Sequence, residues 1–138
     1  MAKIVYKIAG RCGGKTAWLC QRAKEELQAG KTLFYYTNAE RMRHFNSFKE
    51  KYEYFCGGAC TITAVMSTED IPEAEVKNAA VLIDNFMEYM DGSQFVHKMK
   101  HVEGLTIYIT LNDDCEPAQN KIEEIPEAQN WEQLTLFM

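Results

Sequence analysis

Long hydrophobic runs are missing from this chain. No window approaches the roughly 20 apolar residues that span a bilayer, and Lys3 and Lys7 interrupt the apolar stretch at the start, so it does not read as a secretory signal. The expectation is a soluble, cytoplasmic protein with no membrane partner. A surplus of positive charge is missing as well. The formal net charge is -5, and residues 112–138 hold seven acids against the single base Lys121, leaving 14 bases and 13 acids in residues 1–111. A nearly neutral body gives no electrostatic ground for nucleic-acid binding. Cysteine pairing is lacking too: the five cysteines, at 12, 20, 56, 60 and 115, are an odd number. The one close pair, in Cys56-Gly-Gly-Ala-Cys60, has no second Cys or His pair to complete a zinc site. Reduced thiols serving as small buried side chains are expected. His44, His97 and His101 show no ligand spacing and read as surface or core residues.

What is present is a single domain's worth of chain, 138 residues with 46% hydrophobic and 25% charged side chains. β-formers run from Lys3 to Ala9 and stop at glycines. From Lys15 to Ala29, Leu19, Ala23 and Leu27 recur every four residues and Gly30 supplies a stop, the pattern of an amphipathic helix. Thr32–Thr37 reads as a second strand. Met42, Phe45, Phe48, Tyr52 and Phe55 keep helical spacing up to Cys56-Gly57-Gly58. Thr61–Val65 reads as a third strand, Pro72–Asn78 as a short helix with Pro in its first turn, and Ala79–Asp84 as a fourth strand. Phe95, Val96, Met99 and Val102 mark a helix after Gly92-Ser93, and Leu105–Leu111 a fifth strand. Strands alternating with helices predict an α/β fold, a mostly parallel five-stranded sheet with helices on both faces. Residues 1–111 form this domain, 112–130 an acidic linker, and 131–138 an apolar C-terminal segment.

Ala9-Gly10-Arg11-Cys12-Gly13-Gly14-Lys15-Thr16 joins the first strand to the first helix. Consecutive backbone N–H groups at a helix start can wrap a phosphate only where side chains leave room, as Gly10, Gly13 and Gly14 do. Lys15 can then reach the β- and γ-phosphates, and the Thr16 hydroxyl is placed to ligate magnesium. Cys12 reads as a small filler, with a reactive thiol near the helix N-terminus as the alternative. This segment resembles the Walker A motif of P-loop NTPases, with Ala9 where the motif begins with Gly. Val81-Leu-Ile-Asp84 resembles a Walker B motif, which implies Asp84 as the second magnesium residue. A strand ending in a solvated Asp is its plain alternative.

The strand pattern resembles the RecA-like and AAA-like branch, in which a Glu commonly follows the Walker B Asp and activates water. Here Asn85 follows, and an amide cannot accept a proton. Hydrolysis must therefore use another base, such as Glu88, or be slow. Asn112, at the end of the last strand, stands where that branch often has a sensor of the γ-phosphate; it reads equally as the start of a turn. Arg41 and Arg43 read first as solvent-facing helix residues, and otherwise as fingers reaching phosphate in a neighbouring subunit of a homo-oligomer.

Gln133-Leu134-Thr135-Leu136-Phe137 resembles the short peptide by which bacterial and phage replication proteins bind the sliding clamp. Leu136 and Phe137 would fill an apolar pocket, Leu134 make a second contact, and Gln133 hydrogen-bond at the rim. A final edge strand of the sheet is the competing reading. Together the resemblances imply a domain binding ATP or GTP with Mg2+. It would be a weak or partner-stimulated ATPase, an accessory to DNA-replication proteins or to repair, in a phage-like setting. A non-hydrolysing nucleotide-gated module and a small-molecule kinase are the alternatives.

Overall fold

The computed structural model of the chain describes residues 2–9, 14–85, 92–112 and 121–125. It is an α/β fold. Strands β1 (Lys3–Ala9), β2 (Thr32–Tyr36), β3 (Ile62–Val65), β4 (Ala79–Ile83) and β5 (Thr106–Asn112) are parallel and lie side by side in the order β3-β2-β4-β5-β1. Parallel neighbours need crossover connections, and helices α1 (Lys15–Gln28), α2 (Met42–Cys56), α3 (Glu73–Val76) and α4 (Gly92–Met99) lie in them.

Side chains alternate across the sheet because successive Cβ atoms point to opposite faces. Val5, Leu33, Tyr35, Leu82 and Tyr108 meet α1 through Leu19, Cys20 and Ala23, and α2 through Phe45, Phe48 and Tyr52. Their neighbours Ile4, Tyr6, Phe34, Val81, Ile83, Ile107 and Ile109 meet Phe95, Val96 and Met99 of α4, with Ile71 and Val76 beside them. Both faces are therefore covered, which is why β4 reads as an unbroken apolar run and is buried at every position. The Tyr35 ring lies 5.5 Å from Phe45 and 5.2 Å from Phe48, fixing α2 over β2. Burying one such aromatic contributes about 1.5–3 kcal/mol.

The termini of α1 follow from two glycines. Gly14 precedes Lys15 with φ 80°, a left-handed conformation open to glycine without penalty, and its carbonyl accepts the Trp18 N–H at 2.9 Å. At the other end Gly30 has φ 82°. Its N–H donates to the Leu27 carbonyl and that of Lys31 to Glu26, both at 3.0 Å, a Schellman closure.

A sixth strand lies where none was expected, ahead of residues 131–138, the segment for which an edge strand was the competing reading. Lys121–Ile125 forms β6, antiparallel to the outer edge of β1, with Val5 opposite Glu124. It lies inside the stretch read as an acidic linker, where Lys-Ile-Glu-Glu-Ile has too much charge to look like a strand. At a sheet edge the pairing is made by backbone groups, and charge is a usual guard of the exposed side. Arg41 also departs from expectation. It closes a 3-10 turn, Ala39–Arg41, capped by Asn38 Oδ1 accepting the Arg41 N–H at 2.9 Å, and stands before α2 instead of on it.

The connections after β1 and β2 leave on the α1–α2 face, and those after β3 and β4 on the α4 face. β2 and β4 are neighbours, so their chains part to opposite sides at the carboxyl edge. Open α/β sheets place ligands in such a crevice. Among the described residues, no helix is long and apolar enough to cross a membrane.

Candidate functional site

The carboxyl edge collects the end of β1, the start of α1, and the residues just after β4. Ala9 ends β1; residues 10–13, with Gly10, Arg11, Cys12 and Gly13, lie outside the described residues. Lys15 and Thr16 open α1 half-buried. The first-turn N–H groups of a helix have no partner within it, and the helix dipole adds partial positive charge there.

Asp84, half-buried, follows β4 and faces this helix start. Thr16 Oγ1 donates to Asp84 Oδ2 at 3.4 Å, across 68 residues of sequence. Two residues from separate segments of the sequence are thus brought together by the sheet. The other carboxylate oxygen, Oδ1, accepts from Thr110 Oγ1 at 2.5 Å, and Thr110 Oγ1 in turn accepts the Asn85 N–H at 2.8 Å. Asn85 itself has φ 55°, a left-handed turn that Asn tolerates better than most residues.

Thr110 is fully buried and was missed by sequence reasoning. In Thr106-Ile-Tyr-Ile-Thr-Leu it reads simply as a β-former. The available signal was its polarity: a hydroxyl in a strand covered on both faces must find a partner. Asn112 is the backbone neighbour of Ala9 in the β5–β1 register, so it stands beside the start of the loop. Glu88 falls outside the described residues, as do Gln133, Leu134, Leu136 and Phe137 of the C-terminal segment. Arg41 sits at the same sheet edge, after β2, where Thr37 Oγ1 donates to its carbonyl at 3.1 Å; Arg43 is exposed on α2.

Two buried thiols of the core on the α1–α2 face are chemically quiet. Burial pushes the Cys20 thiol up to about 12, with Cys56, Asp84 and Cys60 adding to it. Burial likewise pushes Cys60 up to about 11, against the lowering pull of Lys49. Both remain protonated at neutral pH, and the thiolate is the reactive form. No group of three or more His, Cys, Asp and Glu side chains arranged to hold a metal occurs among the described residues.

Two further features lie apart from Asp84. At the amino end of the sheet the Tyr108 hydroxyl donates to Glu26 Oε1 at 2.6 Å, and Lys31 Nζ stands 3.1 Å from Glu26 Oε2, tying the end of α1 to β5. On the α4 face a cleft of about 210 Å³ opens between Tyr36, Met66–Glu69, and Gln94, Phe95 and Lys98 of α4.

What the edge can do chemically follows from charge. A helix N-terminus favours an anion, yet Asp84 brings a negative charge to the same place. A phosphate would be repelled by that carboxylate unless a cation stood between them. Mg2+ prefers oxygen ligands at 2.0–2.1 Å in an octahedron and typically takes one or two from protein, so adjacent ligands lie about 3 Å apart. Thr16 Oγ1 and Asp84 Oδ2, at 3.4 Å, are close to that spacing and leave the other positions to water and phosphate oxygens. The donor set fits the ion.

No protein-family model matches this chain, and a comparison with curated protein sequences finds no match.

Proposed function

We propose that the chain binds ATP or GTP together with Mg2+ at the carboxyl edge of the sheet, through the loop Ala9–Thr16 and Asp84. The observation that carries this reading is the 3.4 Å approach of the Thr16 hydroxyl to the Asp84 carboxylate beside the start of α1. Lys15 supplies a mobile cation for the β- and γ-phosphates, Thr16 and Asp84 would hold the metal, and the first-turn N–H groups take the remaining phosphate charge. The bound ion would neutralise phosphate oxygens and act as a Lewis acid.

Asn85 sets the rate expectation. With its side chain unable to accept a proton, hydrolysis is slow or depends on a partner, with Glu88 as substitute base and Asn112 as γ-phosphate sensor. Asn85 equally favours a second reading, a non-hydrolysing module whose bound nucleotide shapes a partner surface. Phosphate release measured with and without a sliding clamp or DNA separates the two. The clamp enters through Gln133, Leu134, Leu136 and Phe137 on sequence grounds alone, and with it a role as a replication or repair accessory.

Calorimetric titration of the full chain with MgATP and MgGTP tests the binding claim. The wild type should bind at least one of them, and Lys15→Ala should weaken that affinity at least about tenfold, since hydrogen bonds to charged groups are worth about 1.5–3 kcal/mol. Equal affinity in the two proteins would remove the loop from the site.

A further inference from the structure

We infer that Thr110 is a positioning residue for the cation site: it fixes the Asp84 carboxylate so that Oδ2, and not Oδ1, is offered beside Thr16. The inference rests on the nucleotide and magnesium reading above. A carboxylate turns easily about its last torsion, which is broad and nearly two-fold, so something must hold it if one oxygen is to stay aimed at a small octahedral ion. Thr110 is suited to this. Its side chain is β-branched and stiff at χ1, it is fully buried, and its hydroxyl has a single proton to give. The Asn85 N–H, 2.8 Å away, occupies a lone pair of that hydroxyl, which leaves the proton for Asp84 Oδ1 at 2.5 Å. The chain of donors therefore has one direction, from the Asn85 backbone through Thr110 to Oδ1.

The consequence is a division of labour within one carboxylate. Oδ1 is bound to the sheet, and Oδ2 faces the Thr16 hydroxyl at 3.4 Å. Binding is thereby limited to a single oxygen of Asp84, the form a cation with most of its ligands from water and phosphate requires. The same hydroxyl holds the left-handed turn at Asn85, so the backbone leaving β4 and the carboxylate are set by one atom. Groups that orient a metal ligand without touching the metal typically change its affinity by about 10–100-fold when removed.

The experiment compares MgATP binding with ATP binding in EDTA on the full chain, for wild type, Thr110→Ser and the near-isosteric Thr110→Val. The wild type should gain affinity with Mg2+. Thr110→Val should lose about tenfold or more of that gain while its metal-free binding stays within about threefold, and Thr110→Ser should keep the gain. In an Asp84→Asn background Thr110→Val should have no further effect on it, which a purely structural role would not produce. If Thr110→Val does not fold, Thr110→Cys, a weak donor, is compared with Thr110→Ser by the same ratio and should lose most of the gain. A full Mg2+ gain in Thr110→Val or Thr110→Cys would overturn the inference and leave the nucleotide reading intact. A wild type that binds no nucleotide under either condition would overturn that reading and this inference with it.

Discussion

The hydroxyl of Thr16 and the carboxylate of Asp84 meet at 3.4 Å although 68 residues separate them. The contact joins the second residue of α1 to the residue that follows β4, and two strands of the sheet, β5 and β1, lie between Asp84's strand and the outer strand β6. Strands buried on both faces form a rigid base, and a site built across such a base keeps its geometry better than one carried on loops alone.

Glycine at 14 and at 104 is required for different reasons. At Gly14, φ is 80° and an added Cβ would meet nothing within 4 Å, so Gly14→Ala bears only the left-handed backbone cost, about 1–2 kcal/mol. At Gly104, φ is 82° and the added Cβ would also overlap the Lys77 carbonyl oxygen. Gly104→Ala should therefore be the more destabilising of the two. Urea unfolding of both variants checks the order, and Gly14→Ala alone should also weaken nucleotide binding.

The buried thiols predict a loss of stability in alkali. Cys20 is raised from 9.0 to about 12 and Cys60 from 9.0 to about 11, both mainly by burial. Between those limits the folded chain holds protons that the unfolded chain has released. Stability should accordingly be full below about pH 9 and fall as pH rises toward 11 and 12. Melting temperatures across pH 7–11 should show the decline, and Cys20→Ala should make it shallower. At pH 8 Cys20 and Cys60 should resist alkylation in the folded chain and react after unfolding.

For the C-terminal segment, Leu136→Ala combined with Phe137→Ala should eliminate capture by a sliding clamp and leave the melting temperature unchanged. A large drop in melting temperature would instead favour Trp131–Phe137 as part of the sheet, since removing buried Leu or Phe side chains costs about 2–5 kcal/mol each.

The five parallel strands were legible because each is a short β-rich run that begins or ends near glycine or a polar turn. The two helices α1 and α2 were legible because Leu19 and Ala23, and Phe45, Phe48 and Tyr52, repeat at helical spacing and are buried as that spacing requires. The strand order was not legible. Nothing local in Leu105–Leu111 says that it inserts between β1 and β4, which is a consequence of how the crossovers pack. β6 escaped notice because an edge strand is held by its backbone, and the sequence Lys-Ile-Glu-Glu-Ile reads as a charged segment. Asp84 was singled out by its place at the end of an apolar strand-like run, whereas Thr110, inside such a run, was not. Its partner is fixed by the β4–β5 register, in which Ile83 lies opposite Ile109, and that register exists only in the folded sheet.

The most direct measurement of the central claim is a double-mutant cycle on the Mg2+ dependence of ATP affinity. Thr16→Ala and Asp84→Asn should each remove about tenfold or more of the gain in affinity that Mg2+ gives, and the double variant should be no worse than the stronger single one, because both act through one ion. Metal-free ATP binding should stay near the wild-type value in Thr16→Ala. Losses that simply add, or a wild type whose ATP affinity is the same with Mg2+ and with EDTA, would contradict a shared cation site at Thr16 and Asp84.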